Sequence, residues 1–181
     1  MAELISKIKP VVIKTNRFTL RPFRAGDAPA IAACINDKTI ARNLLSVPYP
    51  YSLADADQWL KRIRNNARRK NPTWVSFAIE IDGNFAGDIG LFKISGHKAE
   101  MGYWLARDYW GRGIMTGVVK EVVRFAFREL GIRRVYAHVF TYNPASVRVL
   151  EKAGFEFEGK LIKNVKKDDR LLDEYIYAKV R

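Results

Sequence analysis

YWLARDYWGRGIMTGV, residues 103–118, runs from apolar strand-like residues through a glycine-bounded loop straight into a helix. Tyr103, Trp104 and Leu105 suit a strand end, and Gly111-Arg112-Gly113 punctuates the loop. A helix that starts at once presents unpaired N–H groups and the positive end of its dipole. Glycines let the backbone approach a ligand closely, and Arg112 adds positive charge, so this junction suits a phosphate or diphosphate. The GxxxxGK[ST] phosphate loop is absent, and Thr116 stands where a GxGxxG dinucleotide fingerprint needs glycine. A glycine turn that merely caps a helix explains the same residues.

The helix itself is well marked. Val118, Val119, Val122, Val123, Ala126, Phe127 and Leu130 fall on one stripe, and Gly131 is a stop signal. Upstream, residues 99–105 (AEMGYWL) read as a strand, with Gly102 as a candidate bulge or close approach. Residues 74–81 and 85–94 read as strands joined by Asp82-Gly83-Asn84, a hairpin signal. Further upstream, RFTLRPF (17–23) alternates as a strand, and Asp27 is placed to cap an alanine-rich helix from Ala28 to about Asn36. LLSVPYPYS (44–52) reads as an irregular loop, and a basic helix begins at Ser52 or Asp55 and ends near Pro72. Downstream, residues 134–140 form a strand, 144–153 a short helix, and 155–161 and 171–180 two final strands. The pattern is mixed α/β, with antiparallel hairpins first and helical crossovers later, and 1–181 reads as a single domain.

Composition narrows the class. The 181 residues are 48% hydrophobic and 28% charged, which fits a folded globular chain and argues against disorder. No apolar run reaches the ~18 residues of a membrane helix. The opening MAELISKIKPVV lacks the apolar core of a secretory signal, so no leader is expected. Cys34 is the only cysteine, which excludes an internal disulfide and suits the cytoplasm. With His97 and His138 the only histidines, no metal site is expected. The net charge of +13 is uneven: Lys61, Arg62, Arg64, Arg68, Arg69 and Lys70 form one basic group, and Lys160, Lys163, Lys166 and Lys167 another. Such faces serve solubility, or attract an acidic partner, nucleic acid or an anionic ligand.

A second informative stretch is YNPASVRVLEKAGFEFEG, residues 142–159. Asn143 can cap the helix after it. Ser146 falls in its first turn, where a hydroxyl can donate to a nearby leaving group.

Taken in order, RFTLRPF with Asp27, PYPYS (48–52), DGNFAGDIGL (82–91), AEMGYWL, DYWGRG (108–113), FRELGIRRVYAHV (127–139), NPASVRVLEKAGFEFEG (143–159) and DEYIYAKV (173–180) resemble the GCN-related N-acetyltransferases. Within that superfamily they are similar to the ribosomal-protein-alanine N-acetyltransferase branch. The resemblance covers nearly the whole chain. It implies the GNAT fold: a central, mostly antiparallel sheet of about seven strands, splayed between the fourth and fifth and flanked by about four helices. It also implies acetyl-CoA as co-substrate, with no metal. Its pantetheine arm would lie in the split against the backbone of Tyr103, Trp104 and Leu105. Its pyrophosphate would rest on the amides of Gly111, Arg112, Gly113, Ile114, Met115 and Thr116. Asn143 and Ser146 would face the thioester, with Ser146 supplying a hydrogen bond or proton to the leaving thiolate.

The chain departs from the family in two places, the phosphate loop and the segment after Glu158-Gly159. Trp110 replaces the first polar residue of the family's phosphate loop, as is common in this branch. Met115 replaces a small residue, and its side chain must either crowd the pyrophosphate or enter the core. The carboxylate that ribosomal-type members often carry after the Glu158-Gly159 pair falls here near Val165, where there is none. Glu100 is then the nearest carboxylate in the central strand, a candidate proton acceptor through a water. A structural ion pair is its alternative role. Tyr49 and Tyr51 are candidates to line the acceptor side, with core packing as the alternative.

The reaction implied is direct acetyl transfer to a primary amine. An α-amine of pKa ~7.7–8.0 needs about one unit of correction at pH 7, whereas a lysine at ~10.4 needs about 3.4 units, roughly 4.6 kcal/mol. A site without a strong base therefore fits a protein N-terminus better than a lysine, and the basic helix would favour an acidic protein or a ribosomal surface. A small amine acceptor, and a non-catalytic module that binds RNA or ribosomes through its basic face, remain alternatives. Exposed strand edges also offer a second copy a place to pair as a homodimer.

Overall fold

The computed structural model describes residues 11–181, so the first ten residues of the opening segment lie outside the described residues. In chain order the elements are β1 (Ile13–Lys14), β2 (Thr19–Arg21), α1 (Ala28–Ile35), α2 (Lys38–Arg42), α3 (Leu53–Ala67), β3 (Val75–Ile81), β4 (Asn84–Ser95), β5 (Lys98–Leu105), α4 (Ile114–Arg128), β6 (Arg134–Phe140), α5 (Pro144–Lys152), β7 (Glu156–Lys167) and β8 (Arg170–Val180). Short 3-10 turns precede α1 (Ala25–Asp27) and follow β5 (Arg107–Tyr109). The strands form one sheet in the order β1-β2-β3-β4-β5-β6-β8-β7. Every pair is antiparallel except β5–β6, which is parallel because α4 crosses between them. The described residues thus hold eight strands and five α-helices, against an expectation of about seven and four. The additions are β1 and α2, both too short for periodicity to mark.

Alternation along the strands gives the sheet two faces. On one, Phe77, Ile79, Ile89, Leu91, Ala99, Met101, Val135 and Val139 pack against Val118, Val119, Val122 and Val123 of α4 and Leu150 of α5. The valine stripe read from the sequence is the inner face of that helix. On the other face, Ala78, Phe85 and Trp104 meet Ile31 and Ile35 of α1 and Ala56 and Leu60 of α3. Ser52 caps α3 with Asp55 in a reciprocal capping box, and its basic residues face solvent.

One local expectation is corrected and a second is decided between its alternatives. Asp27 stands at the N-cap position of α1, yet its side chain caps nothing there. It accepts from the Arg24 amide at 2.7 Å and takes a bidentate pair from Arg21 at 2.8 and 2.9 Å, all in the interior. Gly102 carries no bulge; the register shift between β4 and β5 falls between Phe92 and Ser95. Of its two expected roles Gly102 takes the close approach: it lies opposite Gly90, and the Phe92 ring rests over both. The final hairpin also exceeds its expected length, with β7 running to Lys167.

Among the described residues no helix is long and apolar enough to cross a membrane. Nor do those residues hold a group of three or more His, Cys, Asp or Glu placed to bind a metal ion.

Candidate active site

The parallel pairing of β5 with β6 covers only Lys98 with Arg134, Ala99 with Val135 and Glu100 with Tyr136. Beyond Glu100 the two strands part. Residues 101–105 of β5 stay paired with β4 on one side and have no strand partner on the other. A run of free backbone donors and acceptors in the middle of a sheet is an invitation to an extended ligand, because buried peptide groups left unpaired are costly.

The open edge leads to the start of α4. Gly111 and Gly113 have φ of 74° and 70°, left-handed values that side chains disfavour, and nothing lies within 4 Å of a Cβ built on either. Gly113 caps α4 without a side chain, so the amides of Ile114, Met115 and Thr116 face outward with no intrahelical acceptor. The Met115 side chain is buried in the core below and does not fill the cradle. Trp110 donates its Nε1–H to the Leu105 carbonyl at 2.7 Å, which ties the loop to the strand end. Arg17 donates to the Arg112 carbonyl at 2.6 Å from the other side, and the Arg112 guanidinium lies 5.8 Å from the Tyr109 ring centroid. The arrangement is a backbone cradle with two arginines beside it, suited to a diphosphate.

At the far side of the split, Asn143 caps α5 by accepting from the Ser146 amide at 3.2 Å. The Ser146 hydroxyl meets the Tyr103 phenol at 2.8 Å. Burial pushes the Tyr103 phenol above its ordinary range, against the pull of Ser146, so it stays a neutral donor or acceptor. The family resemblance implies a role for the Tyr103 backbone; the phenol is an addition, legible only once the strand and helix meet.

The opposite face of the split carries the titratable groups. Glu100 Oε1 lies 3.4 Å from His138 Nδ1, and Glu100 Oε2 lies 2.7 Å from Lys93 Nζ. The His138 contact holds the Glu100 carboxyl below its usual range, with Lys93 adding to this against the cost of burial. Glu100 in turn raises His138, against burial. Glu174, buried on β8, accepts from Asn164 at 2.7 Å, so a carboxylate does lie beside the Val165 region, supplied by the neighbouring strand. Tyr49 and Tyr51 diverge: Tyr49 is exposed, whereas Tyr51 is buried with Ile31, Ile35 and Ala56. Burial pushes the Tyr51 phenol up to about 12. Asp88 lies beneath α3, hydrogen-bonded to Ser76, and burial raises its carboxyl to about 7.

The loop before α3 is tied down at its start. Lys167 Nζ donates to the carbonyls of Ala41, at 2.7 Å, and Leu44. The Tyr142 hydroxyl donates to the Arg42 carbonyl at 2.9 Å, and the Arg42 guanidinium lies 4.9 Å from the Tyr142 ring centroid.

A family model for the GNAT acetyltransferase domain matches residues 17–156, a span that contains the split, the cradle and the Tyr103–Ser146 contact. The chain belongs to the GNAT acetyltransferase family. This GNAT chain is 31% identical to YdaF of Bacillus subtilis, a protein provisionally named a ribosomal N-acetyltransferase, over 78% of this chain and 79% of that one. It is 26% identical to the spermidine N(1)-acetyltransferase of Escherichia coli, over 79% of this chain and 75% of that one. Its structural neighbours include RimL, a ribosomal L7/L12 alpha-N-protein acetyltransferase solved with coenzyme A. That structure superposes with a TM-score of 0.84 and 21% identity over 94% of this chain and 98% of that one, a likeness of fold. The chain is thus an acetyltransferase of the GNAT family, and the two curated relatives named here are N-acetyltransferases by name.

Proposed function

We propose that this enzyme moves the acetyl group of acetyl-CoA to a protein N-terminal α-amine, by direct transfer with donor and acceptor bound together on one domain. Acetyl-CoA, when bound, supplies an activated thioester. The exposed edge at Tyr103, Trp104 and Leu105 holds its arm, and the amides from Gly111 to Thr116 hold its diphosphate. Asn143 orders the first turn of α5, and Ser146 directs its hydroxyl to the leaving sulfur, held in place by Tyr103. A backbone amide of the open β5 edge is placed to stabilise the carbonyl oxygen as charge develops there.

The observation that carries the choice of acceptor is the state of Glu100. A carboxylate paired with Lys93 and His138, and held below its usual range, is a weak proton acceptor. Such a site suits an amine that gives up its proton easily, and an α-amine does so about 2.5 pKa units more readily than a lysine. The exposed basic residues of α3 and of the β7–β8 hairpin favour acidic N-termini, an acidic protein or a ribosomal surface. Tyr49 stands exposed on the loop that would meet the acceptor, while Tyr51 supports that loop from below. The single half-buried cysteine suits a reducing cytoplasm.

A small polyamine is the second reading. The buried Glu174 and the half-buried Glu100 place two carboxylates on the acceptor face, as a polycation would require. A panel decides between them: a peptide with a free acidic N-terminus, the same peptide blocked at its N-terminus but carrying a lysine, and spermidine. Transfer to the free N-terminus alone supports the proposal. Transfer only to lysine or spermidine overturns it.

A further inference from the structure

The acceptor amine reaches the enzyme as an ammonium and must lose a proton before its nitrogen can attack. Glu100 is the candidate that the sequence offers for this step, and in the structure its carboxylate is ion-paired with Lys93 through Oε2 and lies 3.4 Å from His138 through Oε1.

His138 is placed differently. It lies on β6 two residues past Tyr136, the last residue paired with β5, so its ring stands where the split opens. It projects from the face opposite the α4 core, since Ala137 and Val139 beside it pack into that core. Its ring is half-buried, with 21% of the side chain exposed, and so reachable from the acceptor side. Among the described residues its side-chain hydrogen bond is the 3.4 Å contact of Nδ1 with Glu100, which leaves Nε2 without a side-chain or backbone partner there. Tyr136 packs edge-on against the ring at 5.6 Å and restrains its tilt.

We propose that His138 is the catalytic proton acceptor, with Glu100 as its positioning residue; this rests on the acetyltransferase reading above. In the step, one N–H bond of the ammonium breaks. Its electron pair stays on nitrogen, and the proton goes to His138 Nε2. The Nδ1–H then points at Glu100, which fixes the tautomer and stabilises the imidazolium. Glu100 and, more distantly, Glu174 favour the protonated ring, while Lys93 and burial oppose it. A histidine tuned upward by a carboxylate is matched to an α-amine, whose ordinary pKa is only about one to 1.5 units above that of imidazole.

The test is the pH dependence of kcat/KM for transfer from acetyl-CoA to a short peptide with a free acidic N-terminus, and in parallel to spermidine. Wild-type protein, His138→Gln, His138→Ala and Glu100→Gln are compared, and acetyl-CoA thermal shift checks that each variant is folded and holds the donor. His138→Gln is expected to lose about 10²-fold or more in kcat, with the acid limb of the profile removed. Imidazole added to His138→Ala is expected to restore activity in proportion to the free base. Glu100→Gln is expected to keep an acid limb but move it to lower pH. His138→Gln at wild-type rate with the limb unmoved overturns the assignment and leaves the acetyltransferase reading intact. Wild-type protein that binds acetyl-CoA but acetylates no amine overturns both.

Discussion

The Tyr103 hydroxyl and the Ser146 hydroxyl lie 2.8 Å apart, one from the splayed edge of β5 and the other from the first turn of α5. This contact fastens the helix to the strand across the place where the thioester would lie. It makes the serine a directed donor, since the buried phenol fixes one of its hydrogen-bonding directions. Ser146→Ala is expected to lower kcat by about 10²-fold or more, as loss of a leaving-group donor does. Tyr103→Phe should lose less, because the serine remains. Both should leave the thermal shift with acetyl-CoA in place, since the diphosphate cradle is untouched.

Asp88 makes stability depend on pH. Burial raises its carboxyl to about 7, outweighing the hydrogen bonds of Ser76 and Trp59. A group whose folded pKa lies above its unfolded value stabilises the fold fully below the unfolded value, near 3.8, and loses that contribution as pH rises to about 7. Asp88→Asn has no such decline. The stability of the variant minus that of the wild type should therefore grow between pH 4 and pH 8, by up to ~4 kcal/mol. Urea unfolding of both proteins across that range measures it, and a constant difference would contradict it.

Arg21 joins three segments. It is 4% exposed, pairs with Asp27 through both carboxylate oxygens, and donates from Nε to Glu80 at 2.6 Å. Burial pushes Asp27 up, but the bonds from Arg21 and the Arg24 amide bring it below its usual range. Arg21→Met strands a buried carboxylate and should cost about 3–5 kcal/mol at neutral pH. The loss should shrink at pH 4, as the buried Asp27 protonates in the variant, where Arg21 no longer holds it ionised, while the wild type keeps its pair. Denaturant midpoints at pH 7 and pH 4 test this.

Lys167 ties the final hairpin to the loop that leads to the acceptor face, through the Ala41 and Leu44 carbonyls. Lys167→Ala should free that loop and raise the acceptor KM by about tenfold, ~1.4 kcal/mol, with the acetyl-CoA KM unchanged. Equal effects on both would mean that the clamp acts on the whole fold.

Much of this architecture is legible in the sequence, for local reasons. The α4 segment has an apolar stripe, from Val118 to Leu130 just past the helix end, bounded by Gly113 and Gly131, and the β3–β4 hairpin has Asp82-Gly83 at its turn, where the chain takes positive φ. The β7 strand reads short from the sequence because it is an edge strand, and Lys160, Lys163, Lys166 and Lys167 interrupt any alternating apolar face. The split itself has no signature in periodicity, since β5 and β6 each read as ordinary strands; it entered through family resemblance. The Glu100–His138 contact was invisible for a different reason. Its partners lie 38 residues apart and meet only because the parallel register sets Glu100 beside Tyr136. Asp27 carries the local signal of a cap, an acidic residue before a helix, but the nearby Arg21 takes its side chain instead.

Acetyl-CoA is expected to lie in the gap between β5 and β6 with its diphosphate on the start of α4. Amide hydrogen exchange with and without acetyl-CoA tests it most directly. Slowed exchange is expected in alternate amides of residues 101–105 and in the amides of Gly113 to Thr116, with β1–β3 unchanged. Protection confined to the lysine-rich hairpin or to α3, with the β5 edge still exchanging freely, would contradict it.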